Sequence, residues 1–167
     1  MKVIMLDIDG VLNVYPQGRD EFGDIFHQHF IDNLKRIVDE TGAKIVISCS
    51  WRMSGLSVMR DMWKKRNLPG EVIDVTCTSN ELIKKGKFKY RDDVERGHEI
   101  QEWLDNHKDV TNFLILDDDN DMLENQRNNF VRTADNNDHP DHVDIQGYGL
   151  TNICTDKAIE ILNKIII

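Results

Sequence analysis

The chain has 167 residues, 40% hydrophobic and 31% charged, enough apolar content to bury a core and too much for a fibrous or disordered chain. A formal net charge of −9 excludes a surface that attracts polyphosphate everywhere, because phosphate-backbone affinity comes from Lys and Arg, but leaves room for a local basic patch. Cys49, Cys77 and Cys154 are the three cysteines, too few and too scattered for a disulfide framework or a zinc cluster, so a reducing, cytoplasmic setting is expected, with no leader and no membrane partner.

In chain order, two periodicities alternate. "KVIML" (2 to 6) is a short apolar run of the kind buried on both faces of a sheet. "FIDNLKRIVDETG" then places Phe30, Leu34, Ile37 and Val38 on one helical stripe and stops at Gly42. "AKIVIS" (43 to 48) predicts the next strand, and "MSGLSVMRDMWKKRN" a helix with Leu56, Met59 and Trp63 on one face and Lys64, Lys65 and Arg66 at its C-terminal end, where the dipole favours cations. "EVIDV" (71 to 75) predicts a third strand. "RGHEIQEWLDNH" predicts a helix pairing Ile100 with Trp103 and Leu104, followed by the strands "NFLILD" (112 to 117) and "FVRTA" (130 to 134). "TDKAIEILNKIII" closes the chain as a helix with Ala158, Ile161, Leu162 and Ile165 as its apolar face. Strand and helix in alternation predict an α/β fold, a mostly parallel five-stranded sheet with helices on both faces. No repeat or linker divides it, so residues 1–167 read as one domain.

In such sheets ligands bind beyond the carboxyl ends of the strands. The first strand ends on Asp7, with Asp9 two residues on; the second ends on "SCSWR", which supplies Ser48, Cys49, Ser50 and Arg52; the fourth ends on Asp117, Asp118 and Asp119. Carboxylates gathered on one rim raise each other's pKa unless a cation compensates them. Mg²⁺ is the simplest compensation, since it takes oxygen ligands and keeps waters. A shielded Asp7 can attack phosphorus to form an aspartyl-phosphate, while Asp9 protonates the leaving oxygen and later deprotonates water. Gly10 then supports the turn.

On these residues the chain resembles the haloacid dehalogenase (HAD) superfamily of phosphotransferases. Its first motif, Asp-x-Asp-x-Thr/Val, is met by "DIDGV" at Asp7, Asp9 and Val11; its second resembles "IVIS" at Ser48, with Ser50 as a rival; its fourth resembles "FLILDDDND". The resemblance implies a Rossmann-like HAD core with Asp7 as nucleophile, Asp9 as acid/base and Ser48 as a phosphate donor. Asp7, Asp9, Asp117 and Asp118 would form the metal site, with Asp121 as a further acid behind it. Gly10, Cys49, Ser50 and Arg52 would line the substrate side. The family's third motif is a Lys, and none stands at the start of the fourth-strand helix; Arg96, 21 residues before Asp117, offers a guanidinium fork instead, with Lys87, Lys89 and Arg91 as other suppliers. "ISCSWR", "RGHEIQEWL", "LILDDDND" and "GLT" (149 to 151) resemble more specifically the HAD domain of Swiss Army Knife RNA-repair proteins.

The inserts that carry caps in such enzymes are short here: a flap at about residues 13–27 and a basic loop at about 77–95, so no large cap domain is expected. An open site suits a macromolecular end. Within the basic loop "KKGKFKYR" (84 to 91) pairs lysines with Phe88 and Tyr90, a pattern suited to single-stranded nucleic acid. The expectation is a Mg²⁺-dependent phosphomonoesterase acting on a phosphorylated substrate such as an RNA or DNA end, 5′ or 3′. The alternatives are a 5′(3′)-nucleotidase or a non-catalytic phosphate-binding domain. "DHPDH" (138 to 142) reads as a surface loop, and Trp51, Trp63 and Trp103 as packing residues.

Overall fold

The structure is a computed structural model that describes residues 1–15, 17–133 and 148–164. It begins with β1 (Lys2–Leu6), followed by a small antiparallel hairpin of β2 (Arg19–Asp20) and β3 (Gly23–Asp24). Next come α1 (Gln28–Thr41), β4 (Lys44–Ile47), a 3₁₀ turn (Ser50–Ser54), α2 (Leu56–Lys65) and β5 (Val72–Val75). The second half runs through α3 (Ser79–Lys84), a 3₁₀ turn (Arg91–Asp93), α4 (Arg96–Asn106), β6 (Asn112–Asp117), a 3₁₀ turn (Glu124–Asn129), β7 (Phe130–Arg132) and α5 (Asn152–Asn163).

The five longer strands form one parallel sheet in the order β5-β4-β1-β6-β7. The fold is therefore α/β, with β1 at the centre and the chain leaving it first to one side and then to the other. Alternate residues of β1 feed two cores. Ile4 and Leu6 pack with Phe30, Leu34 and Ile37 of α1, Met59, Met62 and Trp63 of α2, and Ala158 and Leu162 of α5. Val3 and Met5 pack on the opposite face with Ile100 and Trp103 of α4, Ile115 and Met122. Because both faces are covered, the strands read as continuous apolar runs. Among the described residues no helix is long and apolar enough to cross a membrane.

Several boundaries differ from the expectation. Gly42 ends α1 as expected: it adopts φ +67° and its N–H closes on the Val38 carbonyl at 2.8 Å. The second helix is shorter than its apolar pattern, because Gly55 at φ +87° separates a 3₁₀ turn from α2. The basic loop is not all loop. Thr78 and Glu81 form a reciprocal capping box that starts α3 inside it.

Arg52 lines the same cavity as Ser50 and Arg96, but its charge is engaged inward. It is buried, donates to the Ser48 carbonyl through Nη1, and pairs with Glu99 of α4 at 2.6 Å through Nη2. Burial shifts both groups towards their neutral forms, and their mutual attraction opposes that. The pair thus braces the turn after β4 against α4. Glu99→Leu, which strands a buried guanidinium, should cost about 3–5 kcal/mol in urea unfolding, and replacing Arg52 by Met in the same chain should recover most of that loss.

Candidate functional site

Parallel register decides what meets at the rim. Leu6 aligns with Ile47 on one side and with Leu116 on the other, so the next residue on each strand, Asp7, Ser48 and Asp117, emerges at one level. Main-chain bonds continue the ladder past the strand ends: Ser48 N–H to the Leu6 carbonyl at 3.0 Å and Asp7 N–H to the Leu116 carbonyl at 2.9 Å. Neighbouring strands lie about 4.8 Å apart, which brings side chains 110 residues apart in sequence within reach of a single ion.

One carboxylate oxygen each from Asp7, Asp117 and Asp118 lies within 4.8 Å of the others. Asp7 is 6% exposed and Asp117 fully buried. The Asp7 Oδ1 accepts the Ile8 N–H at 2.6 Å and the Asp117 Oδ1 accepts the Asp119 N–H at 3.0 Å, while the Asp117 Oδ2 is buried with no hydrogen-bond partner. Gly10 makes the approach possible. Its φ is +76°, and a Cβ there would lie 2.2 Å from the Asp118 Cγ, so the residue is required both by its turn and by the carboxyl packed on it.

Three acids this close are electrostatically strained. Burial, reinforced by the Asp7 charge, pushes Asp117 up to about 8, and burial, Asp7 and Asp119 push Asp118 up to about 6. Asp7 is also raised by burial, against the opposing pull of the Ile8 N–H and Arg96. Arg96, at the start of α4, reaches the cluster with its Nε 3.8 Å from the Asp117 Oδ2, and Arg132, whose Nε donates to the Asp118 carbonyl at 2.8 Å, draws the Asp118 carboxyl towards its charged form. Burial alone would lower the pKa of Arg96, but Asp117, Asp7 and Glu99 raise it. Its Nη1 donates to the same Ser48 carbonyl that Arg52 holds, and its main-chain N–H donates to the Asp121 Oδ2 at 3.1 Å. An unpartnered buried carboxylate oxygen within an all-oxygen donor set fits a hard divalent cation.

The other predicted residues are placed as follows. Asp9 is exposed on the tight turn after β1, outside the three-acid cluster; its Oδ2 accepts from the Trp51 indole at 2.8 Å and its Oδ1 from Asn13 at 3.2 Å. The Ser48 hydroxyl is buried without a partner, whereas Ser50 is exposed and lines a neighbouring cavity of about 470 Å³ together with Arg91 and Arg96. Burial raises the pKa of the Cys49 thiol well above the usual range, and the Asp7 charge adds to it. Lys87 does not face the cluster: it and Lys85 converge on Glu102 and hold that carboxyl well below its usual range. Lys89 sits over the Tyr90 ring at 5.0 Å, and Phe88 is turned edge-on to His98. The "DHPDH" run lies outside the described residues. Two residues escaped sequence reasoning: Glu99, whose helical position gave no sign of an ion-pair partner 47 residues away, and Trp51 as a hydrogen-bond donor, for which its place just past a strand end was the one available signal.

The raised acids have a consequence for stability. Asp117 titrates near about 3.9 when unfolded and at about 8 when folded, so the folded state binds that proton more tightly. The stability it contributes is fully present below about pH 4 and is lost as pH rises towards 8. In EDTA the protein should melt at a lower temperature at pH 8.5 than at pH 5.5, by about 2–4 °C for each kcal/mol lost in a chain of this size. Asp117→Asn should flatten part of that slope in scanning calorimetry.

Comparison with known proteins adds a family. No curated protein and no solved structure matches the chain. A family model describing the HAD domain in Swiss Army Knife RNA repair proteins matches residues 3–137, a span that contains Asp7, Asp9, Ser48, Arg96, Asp117 and Asp118. With the five-stranded parallel sheet and the acids at its strand ends, that match makes the chain a member of this family of HAD domains, and so of the HAD-type hydrolases.

Proposed function

We propose that the protein is a Mg²⁺-dependent phosphomonoesterase that removes the 5′ or 3′ phosphate from a nucleic-acid end, RNA before DNA. The observation that carries this reading is the convergence of Asp7, Asp117 and Asp118 on one point beside Arg96. The RNA preference is supported by the family's description as a domain of RNA repair proteins. Openness supports a macromolecular substrate: among the described residues, only the β2–β3 hairpin stands between β1 and α1, and only α3 and a 3₁₀ turn between β5 and α4.

Asp7, Asp117 and Asp118 would hold the Mg²⁺, whose charge would shield the acids and draw phosphoryl oxygens into reach. A carboxylate oxygen of Asp7 attacks phosphorus, the bond to the leaving oxygen breaks, and that oxygen takes a proton from Asp9. Asp9, now ionised, takes a proton from water; the water oxygen bonds to phosphorus and the acyl-phosphate bond to Asp7 breaks, releasing inorganic phosphate. Arg96 carries the positive charge that counters the phosphoryl oxygens, and the unpartnered Ser48 hydroxyl is a donor for one of them.

Phosphate release should be compared on an aryl phosphate, nucleoside monophosphates and end-phosphorylated oligonucleotides with and without Mg²⁺. Activity should need the metal, and Asp7→Asn should lower it by about 10³-fold or more, as expected when a covalent nucleophile is removed. Phosphate release that survives Asp7→Asn on every substrate rules out the covalent route.

The basic loop enters this reading in altered form. Lys85 and Lys87 serve Glu102, which leaves Lys84, Lys89 and Arg91 of that stretch; of these Lys89 and Arg91 are our candidates for a polymer backbone, since Arg91 lines the cavity that also contains Arg96. Lys89→Ala with Arg91→Ala should raise KM for an end-phosphorylated oligonucleotide by about 10-fold, near the loss of two phosphate contacts, with little change for the aryl phosphate. Equal effects on both substrates remove the loop from substrate recognition.

A further inference from the structure

Trp51 differs from the other two tryptophans in its exposure and in the acid that it meets. The indoles of Trp63 and Trp103 donate to the Pro69 carbonyl at 2.9 Å and to Asp74 at 2.7 Å, and both rings are buried in the core. Trp51 is half-buried on the 3₁₀ turn after β4, and its N–H donates to the Oδ2 of Asp9 at 2.8 Å. The flap holds this indole from behind. A Cβ at Gly23 would lie 3.2 Å from the Trp51 Cη2, and Phe26 packs edge-on at 5.6 Å. Arg66, 5.8 Å from the Trp51 ring, grips Asp20 of β2 through two hydrogen bonds of 2.9 and 2.6 Å.

We propose that Trp51 is a positioning residue that aims the Asp9 carboxyl for proton transfer, and that the β2–β3 hairpin acts as the splint that keeps the indole in place. This rests on the phosphatase reading above. An indole N–H donates and never accepts, so Oδ2 is held as an acceptor by the shorter bond. Oδ1 accepts from the Asn13 amide by the longer one, at 3.2 Å, and is the oxygen left to exchange a proton with the leaving group. The carboxyl is thereby fixed in orientation with its Oδ1 edge away from the tryptophan. As the bond between phosphorus and the leaving oxygen breaks, that proton passes from Oδ1 to the leaving oxygen; in the second half-reaction the same oxygen recovers it from water.

The test separates positioning from plain packing by the leaving group. An aryl oxide departs without protonation, whereas an alkoxide needs the acid. Trp51→Phe keeps an aromatic ring against Phe26 and Arg66 but has no N–H. It should lower kcat on an alkyl phosphate by about 10- to 100-fold, part of what general acid catalysis supplies, and on an aryl phosphate by no more than about 3-fold. Equal losses on both substrates overturn the proposal. A second measurement holds even if that variant fails to fold: in ¹⁵N-labelled protein, Asp9→Ala should move the Trp51 indole resonance and leave those of Trp63 and Trp103 in place, and an unmoved Trp51 resonance overturns the contact. A wild-type protein inert on both substrates and on end-phosphorylated oligonucleotides sinks the phosphatase reading and this role with it, whereas active wild type with equal losses in Trp51→Phe sinks Trp51 alone.

Discussion

Like charges brought to one edge of a parallel sheet must be compensated, and the arrangement of the rest of the molecule follows from how that is done. Asp7 and Asp117 are neighbours because β1 and β6 are hydrogen-bonded in register, so their proximity is built into the backbone and no side-chain rotation relieves it. Desolvation and mutual repulsion both favour protonation. Arg96, delivered by the first turn of α4, brings a compensating charge to Asp7 and Asp117. Asp121 fixes that turn by accepting the Arg96 N–H on its side chain and the Gly97 N–H on its carbonyl. Gly97 is required there, since a Cβ would lie 2.5 Å from the Leu123 nitrogen.

Two guanidinium groups meet at the Ser48 carbonyl, and they do different work. Arg96 leans towards the acids, 19% exposed at its side chain, whereas Arg52 is turned inward to Glu99. Glu99 lies 2.6 Å from Arg52 and 3.8 Å from Arg96, so one buried carboxylate balances the pair and keeps the second-strand turn seated against α4. The segment that carries Ser48, Cys49 and Trp51 is therefore held from both sides: by the ladder to β1 and by this ion-pair triad. Precise placement of catalytic groups demands such support.

The flap and the basic segment show how small insertions are given order without a core of their own. The hairpin is held by Arg66, which joins Asp20 to the rings of Phe26 and Trp51. On the other side, Lys85 and Lys87 of the basic segment are drawn to Glu102, which fastens the end of α3 to α4. Among the described residues both insertions are too short to form a cap domain.

Much of the fold was legible in the amino-acid order. The apolar runs at "KVIML" and "NFLILD" and the helical stripe from Phe30 to Val38 are local signals, and burial on both faces makes them strong. The acids at strand ends were legible too, because in a parallel sheet a charged residue directly after an apolar run has nowhere to sit but the rim. Other features depend on pairs far apart in the chain. The approach of Arg96 to Asp117, the capture of Lys87 by Glu102, the burial of Arg52 on Glu99 and the bond from Trp51 to Asp9 each join residues 15 to 47 positions apart. A charge or an indole N–H looks the same in sequence whether it faces substrate, solvent or a buried partner. Composition and periodicity thus determined that acids would gather on one edge of an α/β sheet, and only the packing of α3, α4 and the flap decided which neighbours answer them, because distance in space, not in sequence, sets the strength of an electrostatic contact.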